Sequence, residues 1–243
     1  MLHARKWQSL MAGVAIVFCA VGWAQEEQPA DPFVQGVDLV RSGRYEEAEQ
    51  LLQQVVEASP DNEPAWYYLG VARFRRGNNT GALEAFVKAR DLAPGRPGPT
   101  FFIGQVYERQ GAYEEALRAY QRELALRRGR DEGEVYCAIG RTYALMGRLD
   151  DASEALMRTL RMEEHCVEAM YWFGQVLVAQ GKYEEAEKMF DRARSTLQDW
   201  QDAKRRLESE PTFAEAEYAR TTNEPKVAQT YYWAEQFGAV LSM

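Results

Sequence analysis

Apolar side chains recur along this chain at spacings of three and four residues, which is the period of one buried helix face. Trp66 and Leu69 begin such a stripe, and Tyr136, Ile139 and Tyr143 form another. Glycine and proline interrupt the pattern at short intervals, and both residues end helices. The pattern therefore predicts an all-α protein built from many short helices that pack in antiparallel pairs.

Three series of small residues share one period, which indicates an internal repeat. Successive members of each series are separated by 34, 34, 36 and 34 residues, so the chain holds five copies. The longer step marks a two-residue insertion at the stretch GRDEG, residues 129–133. The upstream glycines are Gly36, Gly70, Gly104, Gly140 and Gly174, the downstream glycines are Gly43, Gly77, Gly111, Gly147 and Gly181, and the alanines are Ala48, Ala82, Ala116, Ala152 and Ala186.

The second copy carries the fullest motif and resembles the tetratricopeptide repeat. Its motif residues are Trp66, Leu69, Gly70, Gly77, Ala82, Phe86, Ala89 and Pro94. The resemblance covers about residues 29–200, in units of 29–62, 63–96, 97–130, 133–166 and 167–200. It implies a right-handed superhelical solenoid of five helix-turn-helix repeats with C-terminal capping helices, in which stacking makes one continuous core.

The small residues of the motif predict how the two helices of a repeat meet. Gly70 would let the backbones of the paired helices approach closely, and Gly77 is expected to end the first helix in a conformation that other residues resist. Asp61 or Asn62 is expected to cap the first helix of the second repeat, with Pro64 in its first turn. The side chains expected beside the upstream glycines are Phe86, Tyr120, Leu156 and Phe190.

The first 24 residues have the three-part layout of a secretory signal peptide. Two basic residues precede an uncharged apolar run at residues 10–21, and cleavage is expected after Ala24. The run is shorter than the ~20 residues that span a bilayer, which disfavours the alternative of a retained membrane anchor. We therefore expect an exported protein without a membrane span after cleavage, located in the periplasm or cell envelope, with secretion as the alternative.

The residues after the repeats predict a cap for the exposed end of the last unit. Residues 191–210 are expected to form an extended amphipathic helix, and residues 201–243 to provide the capping helix and tail. The alternative for the last helix is docking on a partner or in the protein's own groove. Its apolar stripe comprises Val227, Tyr231, Ala234, Phe237 and Leu241.

Charge and residue inventory argue against several classes of function. Residues 1–24 hold two of the 29 Lys and Arg and none of the 37 Asp and Glu, so the mature chain would carry a formal charge of −10. Nucleic acids and anionic membrane surfaces are recognised by excess positive charge, so neither is an expected partner. The mature chain holds one histidine, His165, which with Cys166 offers too few ligands for zinc. We expect no catalytic site, cofactor or metal.

Two cysteines remain after the predicted cleavage, Cys137 and Cys166. An even count in an oxidising compartment is compatible with a disulfide, and both residues fall at the same end of the stacked fourth and fifth repeats. The bond requires a Cα separation below ~7 Å, which a sequence does not give. The disulfide therefore stays an open alternative to two free thiols.

In tetratricopeptide repeat proteins the first helices line a concave groove, and the resemblance implies that the fifth, ninth, twelfth and thirteenth positions of each unit face it. Four of the five fifth positions are aromatic here, and Tyr and Arg dominate binding hot spots. The groove is expected to bind an extended or helical peptide with apolar side chains and some negative charge. The alternative is that the rings pack between adjacent helices. The predicted groove residues are Phe33, Tyr67, Phe74, Arg75, Phe101, Gln105, Arg109, Arg141, Tyr171 and Gln175.

These features predict a non-catalytic protein–protein interaction module or assembly scaffold whose partner is an envelope or secreted protein or peptide. One alternative is a structural repeat protein, a homo-oligomer that self-associates through its convex face or C-terminal helix. Another is an accessory subunit of an envelope enzyme.

Overall fold

The computed structural model describes residues 31–209, and this range is all-α, with ten helices and no strand. The helices are α1 (Pro32–Arg41), α2 (Tyr45–Ala58), α3 (Glu63–Arg75), α4 (Asn79–Leu92), α5 (Pro99–Arg109), α6 (Tyr113–Arg127), α7 (Gly133–Leu145), α8 (Leu149–Met162), α9 (Val167–Ala179) and α10 (Tyr183–Ser209).

Consecutive helices pack against each other, and they pair as α1 with α2, α3 with α4, and so on through the five predicted units. Each first helix also packs against the first helix of the next repeat, from α1 against α3 to α7 against α9. The first helices therefore form one continuous layer, and the second helices lie behind it. This arrangement confirms the predicted all-α repeat solenoid.

The upstream positions require glycine because a large side chain of the second helix packs directly against the backbone of the first. A Cβ atom at Gly70 would lie 2.6 Å from Cε1 of Phe86, and one at Gly104 would lie 2.5 Å from Cε1 of Tyr120. Any residue larger than glycine would overlap these rings. The other three repeats make the same contact with Leu52, Leu156 and Phe190.

The downstream glycines turn the chain from the first helix to the second. Gly77 has a φ of +83°, in the left-handed region that residues with a Cβ avoid. Two backbone hydrogen bonds close the end of α3, from the amide of Gly77 to the carbonyl of Phe74 (3.1 Å) and from Asn78 to Arg73 (2.9 Å). These bonds satisfy carbonyls that have no partner within the helix. The predicted role of Gly77 is confirmed.

The start of α3 shows which of two predicted caps is used. The side-chain oxygen Oδ1 of Asn62 accepts a hydrogen bond from the amide of Ala65 at 3.1 Å. A proline in the first turn of α3, Pro64, costs no hydrogen bond there. The bond fixes the point at which the chain enters the layer of first helices.

The last helix runs longer than the sequence analysis expected. Helix α10 continues without a break from Tyr183 to Ser209, so the second helix of repeat five and the predicted amphipathic helix are one element. No glycine or proline interrupts residues 183–209, so neither of the strongest helix breakers ends the helix within this range. The side chain of Tyr183 is 69% exposed, whereas Tyr45 and Tyr113 at the same position of α2 and α6 are half-buried. The predicted signal peptide and the apolar stripe of residues 227–241 lie outside the described residues.

Candidate interaction surface

The layer of first helices holds all ten predicted groove residues, but their exposure differs widely. Phe74, Phe101 and Arg141 are buried. Arg109 and Gln175 are exposed. The half-buried members are Phe33, Tyr67, Arg75, Gln105 and Tyr171.

Several predicted groove aromatics pack between helices. The ring of Tyr67 contacts Phe102 edge-on, with centroids 5.7 Å apart, and Phe102 stacks on Phe86 at 5.0 Å. Phe101 is 2% exposed, and its centroid lies 5.6 Å from that of Tyr120. Such ring pairs add about 0.5–1.5 kcal/mol each beyond the area that they bury. For Phe74 and Phe101, then, the alternative of packing between helices describes this structure, and neither ring offers surface to a partner.

Phe102 lies at the centre of this aromatic cluster, and the position rule for groove residues missed it. It occupies the sixth position of its unit, next to the predicted Phe101. Its ring also contacts Phe74 at 5.9 Å, so it joins α5 to both α3 and α4. Adjacent aromatic residues were the available signal for Phe102, and α3 and α9 carry such runs as well, at residues 66–68 and 171–173.

Two of the three arginines expected to supply positive charge to the groove, Arg109 and Arg141, are bound within the protein. Arg109 lies over the ring of Phe74, with Cζ 3.5 Å from the centroid, and it donates a hydrogen bond to the Phe74 carbonyl at 2.9 Å. Arg141 donates from Nε to Oε1 of Glu108 at 2.7 Å and also binds Glu168. The expected preference for a negatively charged peptide therefore loses its basis at Arg141, whose charge is paired with two carboxylates.

The ion cluster around Arg141 joins three repeats. Glu108 on α5 also accepts hydrogen bonds from the hydroxyl of Thr142 at 2.7 Å and that of Tyr120 at 3.3 Å. Two carboxylates thus share one guanidinium in a buried setting. Burial raises the pKa of Glu168 to about 7, with Glu108 adding to the rise, although Arg141 opposes it. Because a lone buried charge is costly, each member holds the others in place.

One open surface on the layer of first helices is on α9, in the last repeat, while Leu145 on α7 and Val34 on α1 are exposed as single apolar side chains. Tyr171, Gln175 and Val178 follow one another at spacings of four and three, so they share one face of this helix. Tyr171 is half-buried, Gln175 is exposed, and Val178 is 39% exposed. This α9 face, defined by Tyr171, Gln175 and Val178, combines an aromatic ring, an amide and an aliphatic group. Such a combination can bind an apolar side chain and hydrogen-bond a peptide backbone.

Cys137 belongs to a buried cluster between repeats four and five, and Cys166 packs against the same cluster. Cys137 on α7 is buried, Cys166 precedes α9 and is half-buried, and both are free thiols. A hydrogen bond with Cys166, burial and the neighbouring Glu168 raise the pKa of the Cys137 thiol well above its usual value. The disulfide remains a prediction.

Within residues 31–209 no group of three or more His, Cys, Asp or Glu side chains is placed to hold a metal ion. His165 is exposed in the segment between α8 and α9. None of the helices in this range combines the length and apolar character that a bilayer span requires.

Comparison with known proteins agrees with the repeat architecture. Residues 33–97 and 137–203 match one family profile and residues 99–164 match a second, and both profiles are described as tetratricopeptide repeat. Superkiller complex protein 3 of Mus musculus is 29% identical over 114 residues, which make up 47% of this chain and 7% of that protein. The chain spans only 6% to 11% of the length of the first four curated relatives.

Two solved structures share the fold. MamA, residues 41 to the end, from Desulfovibrio magneticus RS-1 superimposes with a TM-score of 0.60 at 18% identity, over 69% of this chain and 94% of that one. A thermophilic TPR protein of Thermus thermophilus gives a TM-score of 0.57 at 23% identity, over 78% and 96% of the two chains. At these identities the likeness shows the fold alone.

Proposed function

Because the chain belongs to the tetratricopeptide repeat family, we propose that it is a non-catalytic interaction module or assembly scaffold of the periplasm or cell envelope, which binds a peptide segment along its first helices. The observation that carries this proposal is the open α9 face at the end of a continuous layer of first helices. Proteins of this family generally bind proteins or peptides, and the layer offers one such surface.

The chemistry of the α9 face narrows the class of peptide. Val178 and the ring of Tyr171 suit an apolar side chain, and the amide of Gln175 can both donate to and accept from a peptide backbone. The α9 face carries no charged side chain, and Arg141 is already paired with two carboxylates, so we do not retain the requirement for negative charge. The proposed ligand is an extended or short helical segment with one or two apolar anchors.

Site-specific cross-linking tests this proposal in cells. A photoreactive phenylalanine analogue at Gln175 is compared with the same group at Glu154, which is exposed on the second helix α8. We expect a defined adduct from position 175 and none from position 154. Equal adducts from both positions, or none from either, would refute binding along the first helices.

A matched pair of substitutions gives a second readout. Val178 and Met157 are 39% and 40% exposed, on α9 and α8 respectively. We expect Val178→Asp to abolish the adduct at position 175 and Met157→Asp to leave it intact, with circular dichroism confirming that both variants are helical. Loss of the adduct in both variants would show that the effect is not local to the α9 face.

The envelope location rests on the layout of the first 24 residues and has its own test. The mass of the protein isolated from cells should correspond to a chain that begins at Gln25, and the protein should fractionate with periplasm or envelope. A chain that retains Met1 in the soluble cell interior would overturn the location while leaving the binding proposal standing.

The strongest competing role is self-association, and the exposure of Tyr183 favours it. In α10 this ring is 69% exposed, while the equivalent tyrosines of α2 and α6 are half-buried. A second copy could cover it. In that case light scattering would give the mass of a dimer, and Tyr183→Ser would lower that mass.

A further inference from the structure

Two repeats each contribute one cysteine to a single small cluster. Cys137 is on α7 in repeat four, and Cys166 immediately precedes α9 in repeat five, with 28 residues between them. The buried group that contains Cys137, Leu156 and Ala169 is also contacted by Cys166. Both side chains therefore lie in one apolar cluster at the junction of repeats four and five. The stacking of the repeats, and not proximity in sequence, brings these two residues into one cluster.

We propose that Cys137 and Cys166 are a modification site at which a disulfide ties repeat five to repeat four. The structure holds the reduced form, in which both thiols are free. The two cysteines already share one cluster between the repeats, so each is the other's nearest candidate partner among the described residues. Binding along the first helices is not needed for this bond, so the two proposals stand or fall separately.

The exposure of the two thiols sets the order of the reaction. Cys137 is 2% exposed and Cys166 is half-buried, so a disulfide-containing oxidant such as glutathione disulfide reaches Cys166 first. The Cys166 thiolate attacks one oxidant sulfur, which forms a mixed disulfide and releases one glutathione thiolate. The Cys137 thiolate then attacks the Cys166 sulfur, which closes the internal bond and releases the second glutathione. The two protein thiols lose two electrons and two protons, and the oxidant disulfide is reduced to two thiols.

The closing step should depend on pH. Only a thiolate attacks a disulfide, and in the mixed disulfide burial and Glu168 still raise the pKa of Cys137, while Arg141 opposes the rise. Closure is therefore expected to accelerate about tenfold per pH unit below that pKa. The mixed disulfide at Cys166 should be the intermediate that accumulates at lower pH.

The disulfide would restrain the start of α9, the helix that carries the open α9 face. Cys166 precedes α9 by one residue, and Glu168, two residues further on, binds Arg141 of α7. A covalent bond beside this ion pair would fix the start of α9 against repeat four. It would also close a loop of about 30 residues in the unfolded chain, which is expected to raise the unfolding temperature by roughly 10 °C.

The test uses the full chain with Cys19→Ser, so that two cysteines remain. The protein is treated with glutathione disulfide, and its mass and linked peptides are measured with time. We expect a mass loss of about 2 Da from loss of two protons, a Cys137–Cys166 linked peptide, and a rise in unfolding temperature that a reductant reverses. Two glutathione adducts on one chain, or covalent dimers without the internal bond, would overturn the proposal.

Two single substitutions in the same background test the order of events. Cys137→Ser should stop at one glutathione adduct on Cys166, and Cys166→Ser should react at least tenfold more slowly. Equal reaction rates for the two variants would refute the assignment of Cys166 as the entry point. The linked peptide from the two-cysteine chain decides the existence of the bond even where a variant folds poorly.

Discussion

Replacing Gly104 with alanine places a methyl group where the repeat leaves no room. The added Cβ would lie 2.5 Å from Cε1, 2.7 Å from Cδ1 and 3.0 Å from Cζ of Tyr120. The ring has little room to move aside, because Tyr120 is fully buried and its hydroxyl donates a hydrogen bond to Glu108 at 3.3 Å. The strain must therefore be taken up by separation of α5 from α6.

Two effects of opposite sign determine how much Gly104→Ala lowers the free energy of unfolding. Overpacking of a closely packed core costs about 1–3 kcal/mol, and the contact of three ring atoms argues for the upper end. Alanine in place of glycine inside a helix returns about 1 kcal/mol. We therefore expect Gly104→Ala to lower the free energy of unfolding by about 2 kcal/mol. With a urea dependence of about 2 kcal/mol/M, the midpoint of unfolding should fall by roughly 1 M.

Substitutions at two other glycines distinguish the effect of steric overlap from the effect of backbone conformation. A Cβ at Gly95 meets no atom within 4 Å and its φ is ordinary, so Gly95→Ala should leave the midpoint unchanged. A Cβ at Gly111 is equally unobstructed, but φ is +74°, so Gly111→Ala should lose about 1 kcal/mol through the backbone alone. All three are measured by urea unfolding followed by circular dichroism. If Gly104→Ala unfolds at the same urea concentration as Gly95→Ala, the close approach does not explain the glycine series.

Three further predictions concern the ion cluster and the helix cap. Glu168 has a folded pKa of about 7 against an ordinary value of 4.5. Its protonation therefore contributes to the free energy of unfolding fully below pH 4.5, and this contribution is lost as the pH rises through 7. Glu168→Gln should flatten the decline in stability when unfolding is measured between pH 4.5 and 8. Arg141→Met should destabilise by about 3–5 kcal/mol because it leaves Glu108 and Glu168 buried without their partner, and adding Glu108→Gln and Glu168→Gln should restore most of the loss in thermal unfolding. Asn62→Ala should cost about 1 kcal/mol by removing the cap on Ala65, whereas Asn62→Asp should retain stability in the same urea assay.

The repeat fold could be predicted because its determinants are local. Gly77 must adopt a positive φ at the end of α3, and Gly70 must accommodate a ring from the helix that follows. Each requirement restricts one position to a single residue type, so the sequence records it directly. Asn62 illustrates the limit of this reasoning. Asp61 and Asn62 were equal candidates for the cap, and only the backbone geometry selects Asn62.

The sequence could not show which side chains at the predicted groove positions are exposed and which are buried. A position rule gives the direction of a side chain relative to its own helix, but burial depends on the neighbouring repeats. Arg141 occupies a predicted groove position, yet its partners lie 33 residues earlier, at Glu108, and 27 residues later, at Glu168. Those carboxylates occupy the twelfth position of the preceding unit and the second position of the following one. Two acidic residues at positions that face Arg141 were the signal in the sequence that this arginine is paired within the protein.

The packing of the aromatic rings also determines how binding can be tested. Truncation of Phe101, which is buried against Tyr120, would cost about 3–5 kcal/mol by opening a cavity. Such a variant would lose a ligand whether or not the ring contacts it, since the layer of first helices would itself be disturbed. Gln175 and Val178 can be changed without opening a cavity, because they are exposed. A loss of binding on their substitution, with helical content and unfolding midpoint unchanged, can therefore be assigned to contact with the partner.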